Sequence, residues 1–142
     1  MADLDARASA GARRPRPLSP HLSIYKPMMT MMMSIVHRIT GAALYFGTLL
    51  LAWWLIAAAS GPNAYATVEA FMGSIIGRII LFAYTRALIH HTLGGIRHLI
   101  WDTLRGFEAP EREFLAVGSL IGSVVLTLLL WVVGYMAMGG LR

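Results

Sequence analysis

The stretch from Val68 to Ile100 is apolar enough to span a bilayer, yet it holds Arg78, Arg86, His90 and His91 and, near its end, Arg97-His98. An arginine at the bilayer centre costs about 2.5–3.5 kcal/mol, whereas each Ile, Leu or Phe returns about 0.3–0.6 kcal/mol. Ile75, Ile76, Ile79, Ile80, Leu81, Phe82, Leu88 and Ile89 together return roughly 2.5–5 kcal/mol, which two central arginines could cancel. Such a helix must snorkel its charges or bury them among partners, and ionisable groups inside a membrane are functional candidates by default.

At 100° per residue, His91 shares a helical face with Gly77, Tyr84, Ala87, Gly94, Gly95 and His98. The small residues around it leave room for a flat macrocycle whose iron an imidazole could reach. His90 points about 100° away, so the two histidines cannot serve one site equally. His91 is the better axial haem ligand. The competing explanation is that Gly94 and Gly95 permit close helix packing while His91 hydrogen-bonds a neighbour. With no second histidine inside another span, a six-coordinate haem needs a ligand from another subunit, and a single axial ligand is the alternative.

Ser34 and Arg38 lie four residues apart at the start of an earlier apolar stretch, with Gly41 and Tyr45 continuing the stripe. A hydroxyl and a guanidinium there can hydrogen-bond a quinone carbonyl and stabilise the charge that develops on reduction. The ordinary explanation is that Ser34 caps the helix while His37 and Arg38 bind lipid phosphates. His98, about 10 Å along the axis from His91, suits a haem propionate, and His37 and Arg38 could share that role. Asp102 could relay protons or simply balance Arg97 and Arg105. Met28, Met29 and Met31 to Met33 form an apolar approach to the membrane.

The elements that must position these side chains follow from charge segregation. Residues 39–59 and 114–141 carry no charged residue, in a chain of 142 residues that is 57% hydrophobic and 13% charged. Such segregation marks membrane spans. The expected fold is all-α: a cytoplasmic arm over 1–33 and one transmembrane domain over 34–142, with spans at about 34–59, 68–100 and 114–138. Ser60-Gly61-Pro62-Asn63 separates the first two, and a charged turn from Arg105 to Glu113 the last two.

Arg7, Arg13, Arg14, Arg16, Lys26 and Arg38 precede or border the first span, and Arg97, Arg105 and Arg112 flank the second loop. The first loop has no basic residue, and the C-terminus has only Arg142. The positive-inside rule therefore puts the N-terminus and second loop in the cytoplasm. The lack of cysteine excludes disulfides, iron–sulfur ligation and C-x-x-C-H haem attachment. The net charge of +5 is placed as a membrane protein places it, so no nucleic-acid partner is expected.

Arg16-Pro17-Leu18-Ser19-Pro20-His21-Leu22, followed by Ser34-Ile35-Val36-His37-Arg38-Ile39-Thr40-Gly41, resembles the N-terminal signature of succinate dehydrogenase cytochrome b subunits. His91-Thr92-Leu93-Gly94-Gly95-Ile96-Arg97-His98-Leu99-Ile100-Trp101-Asp102 resembles their second signature. The third span is similar only in being apolar and in the right place. This resemblance implies that His91 is the axial ligand of one haem b, shared with a second membrane-anchor subunit that supplies the other histidine. It implies that Ser34 and Arg38 line the ubiquinone site near the iron–sulfur subunit, that His37 and His98 lie close to the haem propionates, and that a flavoprotein subunit completes the complex. Leu104 stands where the family favours a small residue, and Arg78 and Arg86 lie outside the signature. With no convincing presequence, a bacterial inner membrane is expected. The alternatives are a purely structural anchor without cofactor and a small channel or transporter using the span-two arginines.

Overall fold

A computed structural model describes residues 17–139. Arg7, Arg13, Arg14, Arg16 and Arg142, on which the orientation partly rests, lie outside the described residues. Four α-helices follow a short 3-10 turn at Leu22–Ile24: α1 Met29–Ser60, α2 Pro62–Gly73, α3 Ile75–Asp102 and α4 Ala109–Ala137. The described residues contain no strand. α3 packs against both α1 and α4, while α2 folds back against α1 and α3.

The helix ends explain where the structure departs from the expected spans. α1 begins at Met29 and not at Ser34, because unbranched methionines favour helix. Ser34 consequently lies in the second turn and caps nothing; the N-cap is Met28. His37 therefore sits well inside α1 and not in its first turn. α4 begins at Ala109, through residues assigned to a turn. Pro110 in its first turn has a preset φ, and Glu111 there complements the positive helix end.

The larger departure is in the second span, which is not one continuous helix over 68–100. α2 and α3 meet at an angle of 79°. Ser74 adopts an extended conformation between them, and its hydroxyl accepts the Gly77 N–H at 3.1 Å, a helix N-cap. Gly77 lies so close to the Phe71 carbonyl and Met72 backbone that a Cβ there would overlap them. The sharp return of α2 needs that glycine. α1 and α4 are each long and apolar enough to cross a membrane; α2 and α3 meet that test only together.

Packing is inverted relative to a water-soluble bundle. The buried set is mostly small or polar: Ala57, Ala87, Ala116, His90, Arg97, Ser119, Ser123 and Thr127, with Met33 and Val68 the only larger apolar side chains buried among the described residues. Leu49, Ile56, Ile79, Leu130 and Val133 point outward and are exposed. Lipid tails are as apolar as leucine, so helices in a membrane associate through close-packed small residues and interhelical hydrogen bonds. The chain is an integral membrane helical bundle.

Candidate functional site

α1 and α3 interlock through rings set against glycines. Tyr84 of α3 packs on Gly47 of α1, His37 of α1 packs on Gly94 of α3, and a Cβ at Gly41 would stand 3.0 Å from His91 Cε1. Each glycine lets the facing ring lie against backbone. The room beside Gly94 is thereby filled by His37, and not left for a macrocycle. Gly95 differs: a Cβ there would meet nothing within 4 Å.

His91 is half-buried and its ring stacks face to face on His37, with centroids 3.9 Å apart and planes 7° from parallel. Its Nδ1 lies 3.1 Å from the His37 carbonyl oxygen and 3.3 Å from Thr40 Oγ1. The Thr40 hydroxyl already donates to the same carbonyl at 2.9 Å. A carbonyl can only accept, so Nδ1 carries the proton and donates to both oxygens. In the neutral ring Nε2 is then the nitrogen without a proton. A backbone acceptor that fixes the tautomer from behind is the usual support for a metal-ligating histidine.

The polar rings continue toward the end of α3. His98 meets His37 edge-on at 5.4 Å and Trp101 edge-on at 5.2 Å. His37 Nδ1 is buried with no partner among the described residues. His91, His37 and His98 thus form one cluster. Ser34 is half-buried and Arg38 exposed; they border the cluster along α1. Asp102 is exposed at the last position of α3.

His90 turns to the opposite neighbour. It is 1% exposed, and its Nδ1 lies 3.1 Å from Ser123 Oγ on α4. Nearly two turns on, Arg97 is 3% exposed and donates from Nη1 to Ser119 Oγ at 2.9 Å. Its guanidinium also lies 5.3 Å from the Trp101 ring centroid, within cation–π range. Sequence reasoning puts Arg97 in a basic flank and treats the third span as merely apolar. The signal it passes over is the stripe Ala116, Ser119, Ser123 and Thr127, spaced by three and four residues on one helical face and buried throughout.

These residues fit a haem that takes one ligand from this chain. The Nδ1 contacts leave Nε2 of the neutral ring available, Gly95 one turn along the same face meets no neighbour, and His98 and the orphaned His37 Nδ1 belong to the same cluster. His37 does not fit as a second axial ligand, since stacked rings present faces to each other and not nitrogens. Among the described residues, no group of three or more His, Cys, Asp or Glu could hold a bare metal ion.

The family model described as "Succinate dehydrogenase/Fumarate reductase transmembrane subunit" matches residues 12–130. The chain is 42% identical over 118 residues to the succinate dehydrogenase cytochrome b556 subunit of Paracoccus denitrificans, covering 83% of this chain and 91% of that one. It is 42% identical over 117 residues to the subunit of the same name from Rickettsia conorii, covering 82% and 91%. The mitochondrial succinate dehydrogenase cytochrome b560 subunit of Sus scrofa is 38% identical over 114 residues, covering 78% of this chain and 66% of its own length. With both signatures inside the matched region, the chain belongs to the family of succinate dehydrogenase and fumarate reductase transmembrane subunits.

Proposed function

We propose that this chain is the haem b-binding membrane anchor of a bacterial succinate dehydrogenase, and that it forms part of the site where electrons from succinate reach ubiquinone. The observation that carries this is the His91 imidazole, held at Nδ1 by the His37 carbonyl and Thr40, so that the neutral ring offers Nε2 as a ligand. His91 would hold the iron, and His98 and His37 would face the propionates. A second ligand to the iron would have to come from the partner anchor subunit, since His37 stacks face to face on His91. When bound, the haem supplies a one-electron reservoir beside the quinone site.

Ser34 and Arg38 act on the quinone. The exposed Arg38 guanidinium donates to a quinone carbonyl and stabilises the negative charge that grows there as electrons arrive. The Ser34 hydroxyl, one turn away, donates to the same oxygen and orients the ring. Reduction to the quinol consumes two electrons, delivered through the iron–sulfur subunit, and two protons. The positive-inside orientation puts this end of the bundle at the cytoplasm, which supplies those protons.

The test is a dithionite-reduced minus oxidised spectrum of the purified complex, wild type and His91→Ala. A low-spin b-type band that disappears or turns high-spin in the variant supports ligation by His91. An unchanged low-spin band moves the ligand elsewhere, and absence of haem from the wild type leaves a structural anchor.

A further inference from the structure

The end of the bundle remote from His98 holds a cavity of about 600 Å³. All four helices line it: Trp54 from α1, Tyr65 and Glu69 from α2, Arg78 from α3, and Trp131 and Tyr135 from α4. The 79° return of α2 places Glu69 over the start of α3. None of the residues assigned to haem or quinone lies here. We propose that this cavity binds one zwitterionic phospholipid, its phosphate on Arg78 and its primary ammonium on Glu69.

Three independent features carry this. The first is depth. Arg78 and Arg97 are 19 residues apart on one helix, about 28 Å at 1.5 Å per residue, close to the roughly 30 Å thickness of a hydrocarbon core. With Arg97 at one face, Arg78 stands at the headgroup level of the other. The second is the aromatic lining. Trp54, Tyr65, Trp131 and Tyr135 are the residue types that settle between acyl chains and headgroups. The third is charge. One cation and one anion line the same cavity, and neither forms an ion pair within 4.0 Å among the described residues. A zwitterion satisfies both, whereas an anionic lipid would leave its phosphate beside the Glu69 carboxylate. An ethanolamine headgroup fits better than choline, since only a primary ammonium can donate hydrogen bonds to a carboxylate. The volume falls within the range of small-molecule sites, and Leu81 and Leu130 on the walls suit the first carbons of the acyl chains.

The test uses the whole purified complex in nanodiscs of equal parts phosphatidylethanolamine, phosphatidylcholine and phosphatidylglycerol. The complex is then re-extracted into detergent and its retained lipid quantified by mass spectrometry. Wild type is expected to retain one more phosphatidylethanolamine than Arg78→Gln, with a preference over phosphatidylcholine of roughly tenfold, the scale of one charge-assisted hydrogen bond. Glu69→Gln should shift retention to phosphatidylglycerol, because Arg78 then stands without a neighbouring anion. Gly134 lines the same cavity and a Cβ there meets nothing within 4 Å, so Gly134→Phe fills space while leaving both charged residues in place, and should also lose the bound lipid. Equal phosphatidylethanolamine in wild type, Arg78→Gln and Gly134→Phe would overturn the proposal. So would an unaltered lipid preference in Glu69→Gln, release of a quinone and not a lipid by Gly134→Phe, or loss of a partner subunit from that variant with lipid unchanged. Failure here leaves the haem and quinone assignments untouched, since they rest on the opposite end of the bundle.

Discussion

Removing the hydroxyl of Ser123 should destabilise the bundle through His90, and the size of the effect depends on which group is left unpaired. Ser123 Oγ donates to the Leu120 carbonyl at 2.7 Å, so it receives the His90 Nδ1–H at 3.1 Å. Both residues are buried, at 0% and 1% exposure. Ser123→Ala therefore strands a donor where no water reaches, at a cost of about 1–3 kcal/mol. Alanine returns up to about 0.5 kcal/mol in helix propensity, which leaves a net loss of roughly 1–2 kcal/mol. His90→Leu removes the donor but leaves the serine hydroxyl paired with its own helix. When His90→Leu is already present, adding Ser123→Ala should accordingly cost nothing or stabilise slightly. The expected coupling is about 1–2 kcal/mol, at the upper end of hydrogen bonds between membrane helices, which average about 0.6 kcal/mol and reach about 1.7. The assay is the thermal midpoint of the assembled complex for both single variants and the double variant, with the haem spectrum read on the same samples. Ser123→Ala should lower the midpoint by a few degrees, the double variant should match His90→Leu, and the low-spin band should persist in Ser123→Ala. Equal costs for Ser123→Ala with and without His90→Leu would refute the reasoning.

Arg38→Leu should lower succinate–ubiquinone turnover on the order of 10²-fold while leaving succinate oxidation by a soluble dye acceptor intact, and parallel loss of both activities would assign Arg38 to assembly. Gly94→Ala drives a Cβ into the His37 ring, so the complex should lose about 1–3 kcal/mol, seen as a lower thermal midpoint and a shifted haem band. Gly95→Leu meets no atom of this chain at its Cβ and should instead lower the ratio of haem to protein measured by pyridine haemochrome. Leu104 has a φ of 60° and is 86% exposed, a left-handed position just past the end of α3 that costs a non-glycine residue about 1–2 kcal/mol. Leu104→Gly should raise the thermal midpoint, less the extra chain entropy of glycine, and a lowered midpoint would show that the side chain has a partner in the assembled complex.

The helical bundle is legible in the sequence because charge segregation is a one-dimensional property. Residues 39–59 and 114–141 carry no charge whatever surrounds them. The separation of His90 from His91 is legible for a similar reason, since 100° per residue turns neighbours toward different helices. In the structure they face α4 and α1. The break at Ser74 is not legible. Val68 to Phe71 reads as a continuation of the apolar helix that follows, and Gly73-Ser74 is tolerated within a span. What decides the break is the contact of Gly77 with the Phe71 backbone, a tertiary event. A boundary at Ser34 hides that the methionine run carries the helix more than one turn further out, so that His37 stands well inside α1. Leu104 shows the opposite case: the deviation from a small residue is visible in the sequence, and its backbone angle gives the reason.

Depth resolves the paradox of the α3 arginines. Two arginines at the bilayer centre would cost about 5–7 kcal/mol, enough to cancel the apolar gain of the helix. Arg78 and Arg97, however, are spaced by almost a full hydrocarbon thickness. One lines a cavity at one end, and the other is bound by Ser119 and Trp101 at the other end. Only Arg86, half-buried about 12 Å along the helix from Arg78, stands well inside the core. Its cost of about 2.5–3.5 kcal/mol falls within the roughly 2.5–5 kcal/mol returned by the eight apolar side chains around it. The helix can therefore insert with its charges. It then gives His91 to α1 and His90 and Arg97 to α4, so that each of these three polar groups meets a partner that carries no charge of its own.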